Sequence, residues 1–508
     1  MEDVEVARIV RRHLLVVAAV TCVTAYFSYV FFHNDEHFQI IEFVRSKRGD
    51  IAPVFLPWEH AAHMRPWLQP LFYWVISRVL AAVGIEDIFQ LGFAFRLVTG
   101  LANLGALALF LRTTMPWMRS DAEKLAHVRV ATLTGFFPYL FVRTSSESAS
   151  MALATAGFAL LLEGAAAEER TWSVPSLART SRALLVGLLF GLAFEMRYQS
   201  AFLLAGIAAW LVLVARAPLR AHAWLLAGFA LAIATGALAD RWGYGQWVFP
   251  PWHYVRVNLI EGAAKEYGTD PPLAYFWLLP GNVFFPTVVA FIVLACLAWL
   301  RCPRHPVTWA TLPFFAIHNL IAHKEERFLF PIAVLSTALV TMAAGPSFAR
   351  EGWTVRAARA LWPLRERWPA KVLAATSFAG MALLAFYPLG WNQHARFMKF
   401  VHDRFGDELV AAALPDVDVT LPAYHPRIYD VINEKPEETA RRLEAGTARR
   451  WLIADDPVLR TGTIVDTRAV VVFSELPRFA DPSWVDAYNA RAPAALRRLR
   501  FRTLYELR

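Results

Sequence analysis

Cysteines are scarce in this chain, and the usual soluble-cofactor motifs are absent from its sequence. Its 508 residues include three cysteines, Cys22, Cys296 and Cys302, and the first two lie in apolar runs without histidine or cysteine at metal-ligand spacing. This excludes a disulfide framework and a zinc site as organising features. The sequence also has no Gly-rich phosphate loop and no plausible Ser/His/Asp nucleophile set. If the chain is an enzyme, we expect its activated donor to lie in the membrane.

Charged residues are also sparse, at 18% against 57% hydrophobic residues. The chain is too apolar for one soluble domain and too long for one membrane span, which predicts a polytopic membrane protein. Its formal net charge is +9, but the basic residues fall mostly in short loops and form no stripe interleaved with aromatics. Membrane topology explains this charge better than nucleic acid does. We therefore expect membrane lipids as partners, and no nucleic acid.

Apolar runs long enough to cross ~30 Å of hydrocarbon recur as far as Leu389. They begin near His13, Trp67, Gln90, Ala126, Ser148, Arg182, Ala201, Ala221, Tyr275, Pro306, Phe328 and Lys371. Loop charge conflicts with counting both runs between Trp67 and Leu111 as crossings, so one of them is expected not to cross. The prediction is about 11 transmembrane helices, with 12 or 13 as alternatives.

Loop charge orients these spans. Arginines before the first run place the N-terminus in the cytoplasm, and the run lacks a cleavage site, so we expect a retained helix. The basic loops at Arg301 to Arg304 and Ser347 to Lys371 are then cytoplasmic. Two spans separate those loops, so His323 to Arg327 faces the other side and breaks the positive-inside rule. The same count places residues 33–66, 143–148, 195–200 and 240–272 on that outer face.

The membrane region is predicted to occupy residues 1–390, with a first outer loop at 33–66. Pro388 and Gly390 mark its end, where hydropathy falls. Short β-rich runs then alternate with charged helix-like stretches, the runs being Val417–Leu421, Trp451–Ala454 and Ala469–Phe473 and one such stretch Pro436–Glu444. This pattern predicts a small α/β domain at residues 391–508 on the non-cytoplasmic side.

Two acidic residues, Asp35 and Glu36, directly follow the first span on the outer face. A carboxylate in a partly desolvated pocket holds protons more tightly, which suits a general base for a hydroxyl group. Acidic residues after a first helix are also often simply solvated, and the residues alone leave both interpretations open.

The segment His323–Phe328 is the most unusual in the chain. A charge near hydrocarbon costs several kcal/mol unless it is hydrated or paired. At helical spacing Lys324 and Arg327 would share a face and could converge on a phosphate, while Glu326 orients Arg327. The alternative is a salt-bridged collar at the membrane interface, with the basic side chains extending to water.

Three further outer segments could contact a polyhydroxylated ligand. Arg143 and Glu147 bound one short turn, and Arg197 lies in another, although capping and turn chemistry also explain the serines between the first two. Tyr244 and Trp247 lie in a dense aromatic loop, with Asn258 beyond it. Such a loop suits a sugar or lipid cleft, and equally an aromatic belt at the interface.

With these residues in view, the chain resembles glycosyltransferase family 22, the multispan mannosyltransferases that extend glycosylphosphatidylinositol anchors and lipid-linked oligosaccharides. Four segments carry the match in the same order, and the last is the most specific: Asp35–Gln39, Arg143–Glu147, Tyr244–Phe249 with Asn258 and Tyr267–Gly268, and His323–Phe328 followed by Pro331. The loop with Tyr244 and Trp247 looks most like the anchor-building branch.

The resemblance implies an all-α membrane protein with the GT-C glycosyltransferase fold and the C-terminal α/β domain appended. It implies a polyprenyl- or dolichyl-phosphate mannose donor and a glycolipid or lipid-linked glycan acceptor. In that reading Asp35 is the general base with Glu36 beside it, and the donor phosphate is held by His323, Lys324 and Arg327. The substrate-binding residues are Gln39, Arg143, Glu147, Arg197, Tyr244, Trp247, Asn258 and Glu326.

No cofactor is expected, because the lipid-phosphate sugar is a substrate and no carboxylate cluster comparable to a two-metal site is visible. High Arg and Ala with low Lys favours a bacterial inner-membrane protein with a periplasmic site; a eukaryotic one would face the lumen of the endoplasmic reticulum. The alternatives are transfer of another lipid-linked sugar to lipid or protein, and a transporter or lipid flippase. A transporter would be expected to show inverted repeats, and none is apparent.

Overall fold

The computed structural model describes residues 3–29, 31–167, 171–281, 285–349, 352–386 and 393–405, and short stretches beyond them. Those stretches are 412–413, 432–433, 441, 451–454, 462–464, 467–475, 483, 487, 490 and 502–507. The chain divides into two compact units, the first comprising residues 1–28, 34–84 and 93–388 and the second residues 29–33, 85–92 and 389–508.

Helices dominate the chain as far as residue 386, which confirms the predicted all-α architecture of the membrane region. They are α1 (Asp3–Phe27), α2 (Asn34–Glu36), α3 (Glu42–Arg48), α4 (Trp58–Ala61), α5 (Leu68–Ala81), α6 (Ile88–Thr114), α7 (Asp121–Leu133), α8 (Phe137–Phe141), α9 (Ser146–Leu161), α10 (Thr180–Met196), α11 (Ala201–Leu213), α12 (Leu219–Tyr244), α13 (Pro250–Val255), α14 (Tyr275–Leu278), α15 (Phe285–Arg301), α16 (Pro306–Leu320), α17 (Phe330–Ala344), α18 (Trp353–Leu361) and α19 (Trp368–Phe386). A two-stranded hairpin, β1 (Ala166–Ala167) with β2 (Trp172–Ser173), joins α9 to α10.

Four helical stretches in the described part of the chain are long and apolar enough to cross a bilayer. They are Ile88–Trp117, Leu219–Tyr244, Glu326–Ala344 and Trp368–Phe386, and the shorter apolar stretches Tyr198–Leu213 and Pro286–Arg301 accompany them. The chain therefore has the helices of an integral membrane protein. The total of about 11 spans stays a prediction.

Glycines bring α10 and α12 into backbone contact. A Cβ atom added to Gly187 would lie 2.0 Å from the Leu225 carbonyl oxygen, and one added to Gly228 would lie 2.0 Å from that of Leu184. Small residues at such crossings let helices approach closely where lipid supplies no hydrophobic drive for association. The same packing continues to the end of α10, where a Cβ atom added to Gly236 would lie 2.2 Å from Glu195 Oε2, next to the turn that carries Arg197.

The loops predicted to be cytoplasmic meet at one end of the first unit. Glu123 accepts hydrogen bonds from the Ser347 amide at 2.7 Å and from the Ser347 hydroxyl at 2.6 Å, and the Arg119 amide donates to the same hydroxyl at 2.9 Å. Arg301 donates to the carbonyl of Ala343 at the end of α17. The loops at the ends of α6, α15 and α17 are thus joined, as a shared membrane face requires.

The second unit contains α20 (Gln393–Phe405) and a six-stranded sheet, which confirms its α/β character. The strands are β3 (Ala412–Ala413), β4 (Ile432–Asn433), β5 (Trp451–Ala454), β6 (Gly462–Ile464), β7 (Thr467–Ser474) and β8 (Thr503–Leu507), in the order β4-β3-β5-β8-β7-β6. β3 pairs in parallel with β4 and β5, and the remaining pairs are antiparallel.

The predicted runs correspond to this sheet where it is described. Trp451–Ala454 is β5, and Ala469–Phe473 lies within β7. The predicted strand at Val417–Leu421, most of the stretch at Pro436–Glu444, and the boundary residues Pro388 and Gly390 lie outside the described residues.

Candidate active site

Four segments that are far apart in the chain meet around one guanidinium group. Asp35 lies in α2, and Glu147 lies in the first turn of α9. Arg197 follows the last residue of α10, and Arg327 lies in the 3-10 helix Glu326–Leu329 that leads into α17. Three of these segments were predicted to lie in outer loops, and the fourth was the charged cluster itself.

Arg327 is the centre of the site, because each of its nitrogens faces a carboxylate. Its Nη2 lies 2.6 Å from Asp35 Oδ2, its Nη1 lies 3.2 Å from Glu147 Oε1, and its Nε binds Glu325. The planar fork of a guanidinium suits several fixed carboxylates at once. The Glu147 side chain is fully buried, whereas Asp35 keeps 25% of its side chain exposed. Asp35 is therefore the carboxylate of this group that a substrate can reach most easily.

A second cation, Arg197, extends the cluster. Its Nη2 lies 3.1 Å from Glu147 Oε1, so Glu147 bridges two guanidinium groups. Both guanidiniums also contact the Phe328 ring, Arg197 at 5.0 Å and Arg327 at 5.2 Å from its centroid. Cation–π contact and the shared carboxylate together hold two positive charges side by side. Such a pair of cations suits an anionic group of the substrate.

The segment from Ile321 to Glu325 is not helical, so the prediction that Lys324 and Arg327 share one helical face is wrong. Glu325 is extended, with φ −135° and ψ 146°, and the 3-10 helix begins only at Glu326. Lys324 Nζ instead donates to the carbonyls of Ile321 at 2.6 Å and Asp270 at 3.1 Å. The ammonium group thereby satisfies a carbonyl that the end of α16 leaves unpaired.

His323 lies at the rim of the same site. Its Nε2 lies 2.9 Å from Glu325 Oε1, and its Nδ1 lies 3.2 Å from the Gly268 carbonyl. The hydrogen bond to Glu325 raises the pKa of His323, against the opposing effect of burial. Burial lowers the pKa of Lys324. The end of the aromatic loop, at Gly268, is thus in direct contact with the charged cluster.

Glu36 and Gln39 face the protein interior. Glu36 is 1% exposed, and its Oε2 accepts hydrogen bonds from the Thr144 amide at 3.1 Å and the Thr144 hydroxyl at 3.3 Å. Gln39 Nε2 donates to Glu59 Oε1 at 3.1 Å. Glu36 therefore anchors α2 to the turn before α9, and this contact orients its neighbour Asp35.

Glu59 and Arg65, both in the first outer loop, were not among the residues predicted from the sequence. Arg65 Nη2 lies 3.4 Å from Glu59 Oε1. The negative charge of Asp35 stabilises the Arg65 guanidinium, and the positive charge of Arg327 opposes it. The Tyr244 hydroxyl donates to the Arg65 carbonyl at 2.7 Å. A signal was present in that loop, because Arg65 precedes the apolar run at Trp67 and so lies at the membrane boundary, as His323–Arg327 does.

Some predicted substrate-binding residues lie outside the cluster. Arg143 is fully buried; it donates to the Tyr139 carbonyl at 3.2 Å and to the Ser28 hydroxyl, and it lies 4.3 Å from the Tyr139 ring. These contacts give it a place in helix packing. Asn258 donates to the Tyr254 carbonyl one turn earlier, and Trp247 is 68% exposed. An orienting contact with Arg327 was predicted for Glu326, and in the structure Glu325 makes such a contact.

The acidic side chains of the site face cations of the protein. Within the described residues, no group of three His, Cys, Asp or Glu side chains is arranged to hold a metal ion. Asp35, Glu147 and Glu325 each contact Arg327. The arrangement can accept a proton at Asp35, and it can stabilise an anionic group beside Arg327, Arg197 and His323.

Comparison with known proteins matches most of the chain to one family. The model of the Alg9-like mannosyltransferase family covers residues 13–426. GPI mannosyltransferase 3 of Yarrowia lipolytica is 28% identical over 323 residues, which are 63% of this chain and 59% of the relative. GPI alpha-1,2-mannosyltransferase 3 of Danio rerio is 23% identical over 324 residues, which are 63% of this chain and 56% of the relative. The chain therefore spans less than two thirds of the length of these curated relatives.

Among solved structures, the chain is similar to ArnT from Cupriavidus metallidurans bound to undecaprenyl phosphate. The sequence identity is 13%, the TM-score is 0.46, and the match covers 97% of both chains.

Proposed function

Because the chain belongs to the Alg9-like mannosyltransferase family, we propose that it is an inverting mannosyltransferase with a polyprenyl-phosphate mannose donor. The acceptor is a hydroxyl group of a glycolipid or lipid-linked glycan on the non-cytoplasmic face of the membrane. One observation carries the proposal: the 2.6 Å contact between Asp35 and Arg327 joins the carboxylate suited to a general base and the cations suited to a phosphate.

The transfer is a single displacement at the anomeric carbon. The acceptor oxygen forms a bond to that carbon while the bond from the carbon to the phosphate oxygen breaks. The bonding electrons leave with the phosphate, and the proton of the acceptor hydroxyl passes to Asp35. Asp35 can take this role because its carboxylate is the partly exposed one beside Arg327. Inversion of configuration follows from attack on the face opposite the phosphate.

The departing phosphate gains negative charge as its bond to the sugar breaks. Arg327 and protonated His323 are placed to stabilise that charge, because the buried Arg327 lies directly beside the partly exposed Asp35 and His323 lies at the rim of the site. Fixed donors aimed at charge that develops in the transition state supply a large share of catalysis, about 3 kcal/mol for one such donor. Lys324 donates to the Ile321 and Asp270 carbonyls, which holds the segment Ile321–Glu325 in place. Its ammonium group also adds positive charge near the phosphate.

The remaining residues position the substrates. Glu36 fixes Asp35 through Thr144, and Glu147 holds Arg197 and Arg327 together. Arg65 pairs with Glu59 and accepts a hydrogen bond from Tyr244 at its carbonyl, which holds the first outer loop in place. The relatives are named as GPI mannosyltransferases, so a mannosylated glycosylphosphatidylinositol precursor is the first acceptor to test.

Reconstitution of the purified chain with labelled polyprenyl-phosphate mannose and a panel of glycolipid acceptors tests this function. We expect a labelled product whose new glycosidic bond has the anomeric configuration opposite to that of the donor. Retention of configuration would contradict the single displacement, and lack of product with every mannosylated acceptor would contradict the acceptor class.

Two other functions have distinct results in the same assay. A transferase of a different sugar would make product from a polyprenyl-phosphate donor that carries a sugar other than mannose, and none from the mannose donor. A flippase or transporter would move labelled lipid across sealed vesicles without a new glycosidic bond. Product formation in detergent, where no compartments exist, would exclude transport as the only function.

A further inference from the structure

A groove lies between α1 and α6 at the end of the first unit where Glu123 meets Ser347. It has a volume of about 870 Å³ and is lined mainly by apolar side chains of the two helices. Three basic residues also line it: Arg11 from α1, Arg112 from the end of α6, and Lys124 from α7. None of these residues belongs to the candidate active site.

The groove opens because the two helices diverge. Where they pack closely, a Cβ atom at Gly100 would lie 2.7 Å from Thr21 Cγ2, and Arg96 donates to the Ala25 carbonyl at 2.8 Å. Five residues further along α6, a Cβ atom at Gly105 would meet no atom within 4 Å. The space between the helices therefore widens toward the start of α1.

Its length matches one leaflet of a bilayer. The lining residues run from Val6 to Ala18 along α1, about 18 Å at the rise of an α-helix, and from Leu101 to Arg112 along α6, about 17 Å. One leaflet contributes half of ~30 Å of hydrocarbon. Leu15 and Leu101 in this stretch are 60% and 46% exposed, so apolar side chains of the groove are accessible from outside the protein.

The basic groups that line the groove lie in the half toward the start of α1. Arg112 pairs with Glu163 at 2.7 Å and Lys124 with Asp121 at 3.4 Å. Arg11 is exposed and makes no hydrogen bond or ion pair with the parts of the chain that are described. Because α1 and α6 run antiparallel, Arg11 and Arg112 lie in the same half of the groove, and the other half, at Ala18 and Leu101, is apolar.

We propose that this groove binds one anionic glycerophospholipid of the leaflet opposite the candidate active site. The headgroup phosphate contacts Arg11, with Arg112 and Lys124 beside it, and an acyl chain lies between α1 and α6. A phosphate at a basic pocket between helices, with part of an acyl chain along the apolar half of the groove, accounts for both the charge and the shape. A zwitterionic lipid offers the same chains without the net negative charge.

Native mass spectrometry of the purified full chain tests the site, with phosphatidylglycerol and phosphatidylcholine of equal chain length as probes. We expect the wild type to retain one phosphatidylglycerol and to prefer it over phosphatidylcholine at least fivefold. Arg11→Gln should remove that preference, whereas Arg12→Gln, which changes the neighbouring exposed residue outside the groove, should keep it.

Filling the groove gives a second, independent measurement. Gly105→Phe should abolish retention of the bound lipid, whereas Ala102→Phe, on an exposed part of α6 outside the groove, should not. Thermal unfolding in the same detergent shows whether each variant is folded, and Ala108→Leu replaces Gly105→Phe if that variant is not. The proposal is overturned if Arg11→Gln and the filled variant retain phosphatidylglycerol as the wild type does, or if phosphatidylcholine binds equally well.

Discussion

Asp35 differs from its acidic neighbours in accessibility. It keeps 25% of its side chain exposed beside Arg327, whereas Glu147 is fully buried and Glu36 is 1% exposed. A general base must reach the proton that it accepts, and a buried carboxylate committed to main-chain donors cannot do so without rearrangement. Burial therefore assigns Glu36 and Glu147 to holding the site in place. Glu325 is 20% exposed but is shared between His323 and Arg327, which leaves Asp35 as the carboxylate best placed to react.

Replacing Asp35 should stop the chemical step without unfolding the protein. An amide cannot take the acceptor proton, so Asp35→Asn should lower kcat by about 10²–10⁴-fold with a small change in KM for the donor. Initial rates with labelled donor measure this. Asp50→Asn is the matched control, because Asp50 lies in the same outer loop and pairs with Arg48 at 2.9 Å. A rate for Asp35→Asn within threefold of wild type would contradict the assignment.

Arg327 should matter for stability as well as for activity. Arg327→Gln leaves the fully buried Glu147 with Arg197 alone, and breaking a buried pair typically costs about 3–5 kcal/mol. Thermal unfolding should show a lower Tm for Arg327→Gln, and the double variant Glu147→Gln/Arg327→Gln should recover part of the loss. Equal Tm values for the wild type and both variants would show that the two side chains are not coupled.

His323 should give the reaction a pH dependence. Its pKa is raised by the hydrogen bond to Glu325, so it is protonated below pH 6.5 and loses its proton as pH rises through the raised value. Phosphate binding through His323, and any stabilisation from its pair with Glu325, are therefore present at low pH and lost on the alkaline side. We expect kcat/KM for the donor to fall there, in a profile measured from pH 5 to 9.

Two variants separate this effect from other titrations. Glu325→Gln should move the fall to lower pH, and His323→Gln should remove it, whereas His222→Gln in α12 should leave the profile as in wild type. An unchanged profile in His323→Gln would assign the titration to another group.

At the scale of elements, the crossing of α10 and α12 depends on glycine. A side chain at Gly187 or Gly228 would collide with a main-chain carbonyl, which cannot move as a flexible side chain can. We expect Gly187→Ala and Gly228→Ala each to cost about 1–3 kcal/mol or more of unfolding free energy. Thermal unfolding measures this cost, and Gly105→Ala is the control, because its Cβ would meet open space. A stable Gly228→Ala variant would contradict the close packing.

The elements themselves could largely be predicted from the sequence. Apolar runs and loop punctuation indicated the long helices, and short β-rich runs indicated β5 and β7. The conformation of Ile321–Glu325 could not be predicted. Helical spacing from His323 to Phe328 was the expectation, but this segment is not helical. The chain leaves the helix there, and Lys324 binds the carbonyls of Ile321 and Asp270. Local sequence does not show that a lysine will find carbonyl groups from a loop about fifty residues away.

At the scale of the whole molecule, the charged segments of the first unit separate into two ends. One end contains the loops joined by Glu123 and Ser347, and the other contains the cluster around Arg327. Loop charge predicted which segments would share an end. It could not predict the partners within the site, since Asp35, Glu147 and Arg197 gain their places only through the packing of α9, α10 and α17. The burial of Arg143 could not be predicted either, because an arginine in a turn is expected to be exposed.

Sidedness is open to a direct test. With Cys22, Cys296 and Cys302 replaced by serine, single cysteines at the exposed positions Lys265 and Arg119 report on the two ends. In intact cells a membrane-impermeant maleimide should label Lys265→Cys, and it should label Arg119→Cys only after permeabilisation, because the basic loops lie inside. Labelling of both cysteines in intact cells, or of Arg119→Cys alone, would contradict the predicted orientation.

The contact between Asp35 and Arg327 also determines when the site can assemble during synthesis. The two residues are 292 positions apart. At roughly 5–20 residues per second, a ribosome needs roughly 15–60 s to travel from one codon to the other. Glu147 is synthesised during that interval, then Arg197, and Arg327 last. A nascent chain that ends before Arg327 can still pair Glu147 with Arg197, but Asp35 then lacks the guanidinium that it contacts in the complete site.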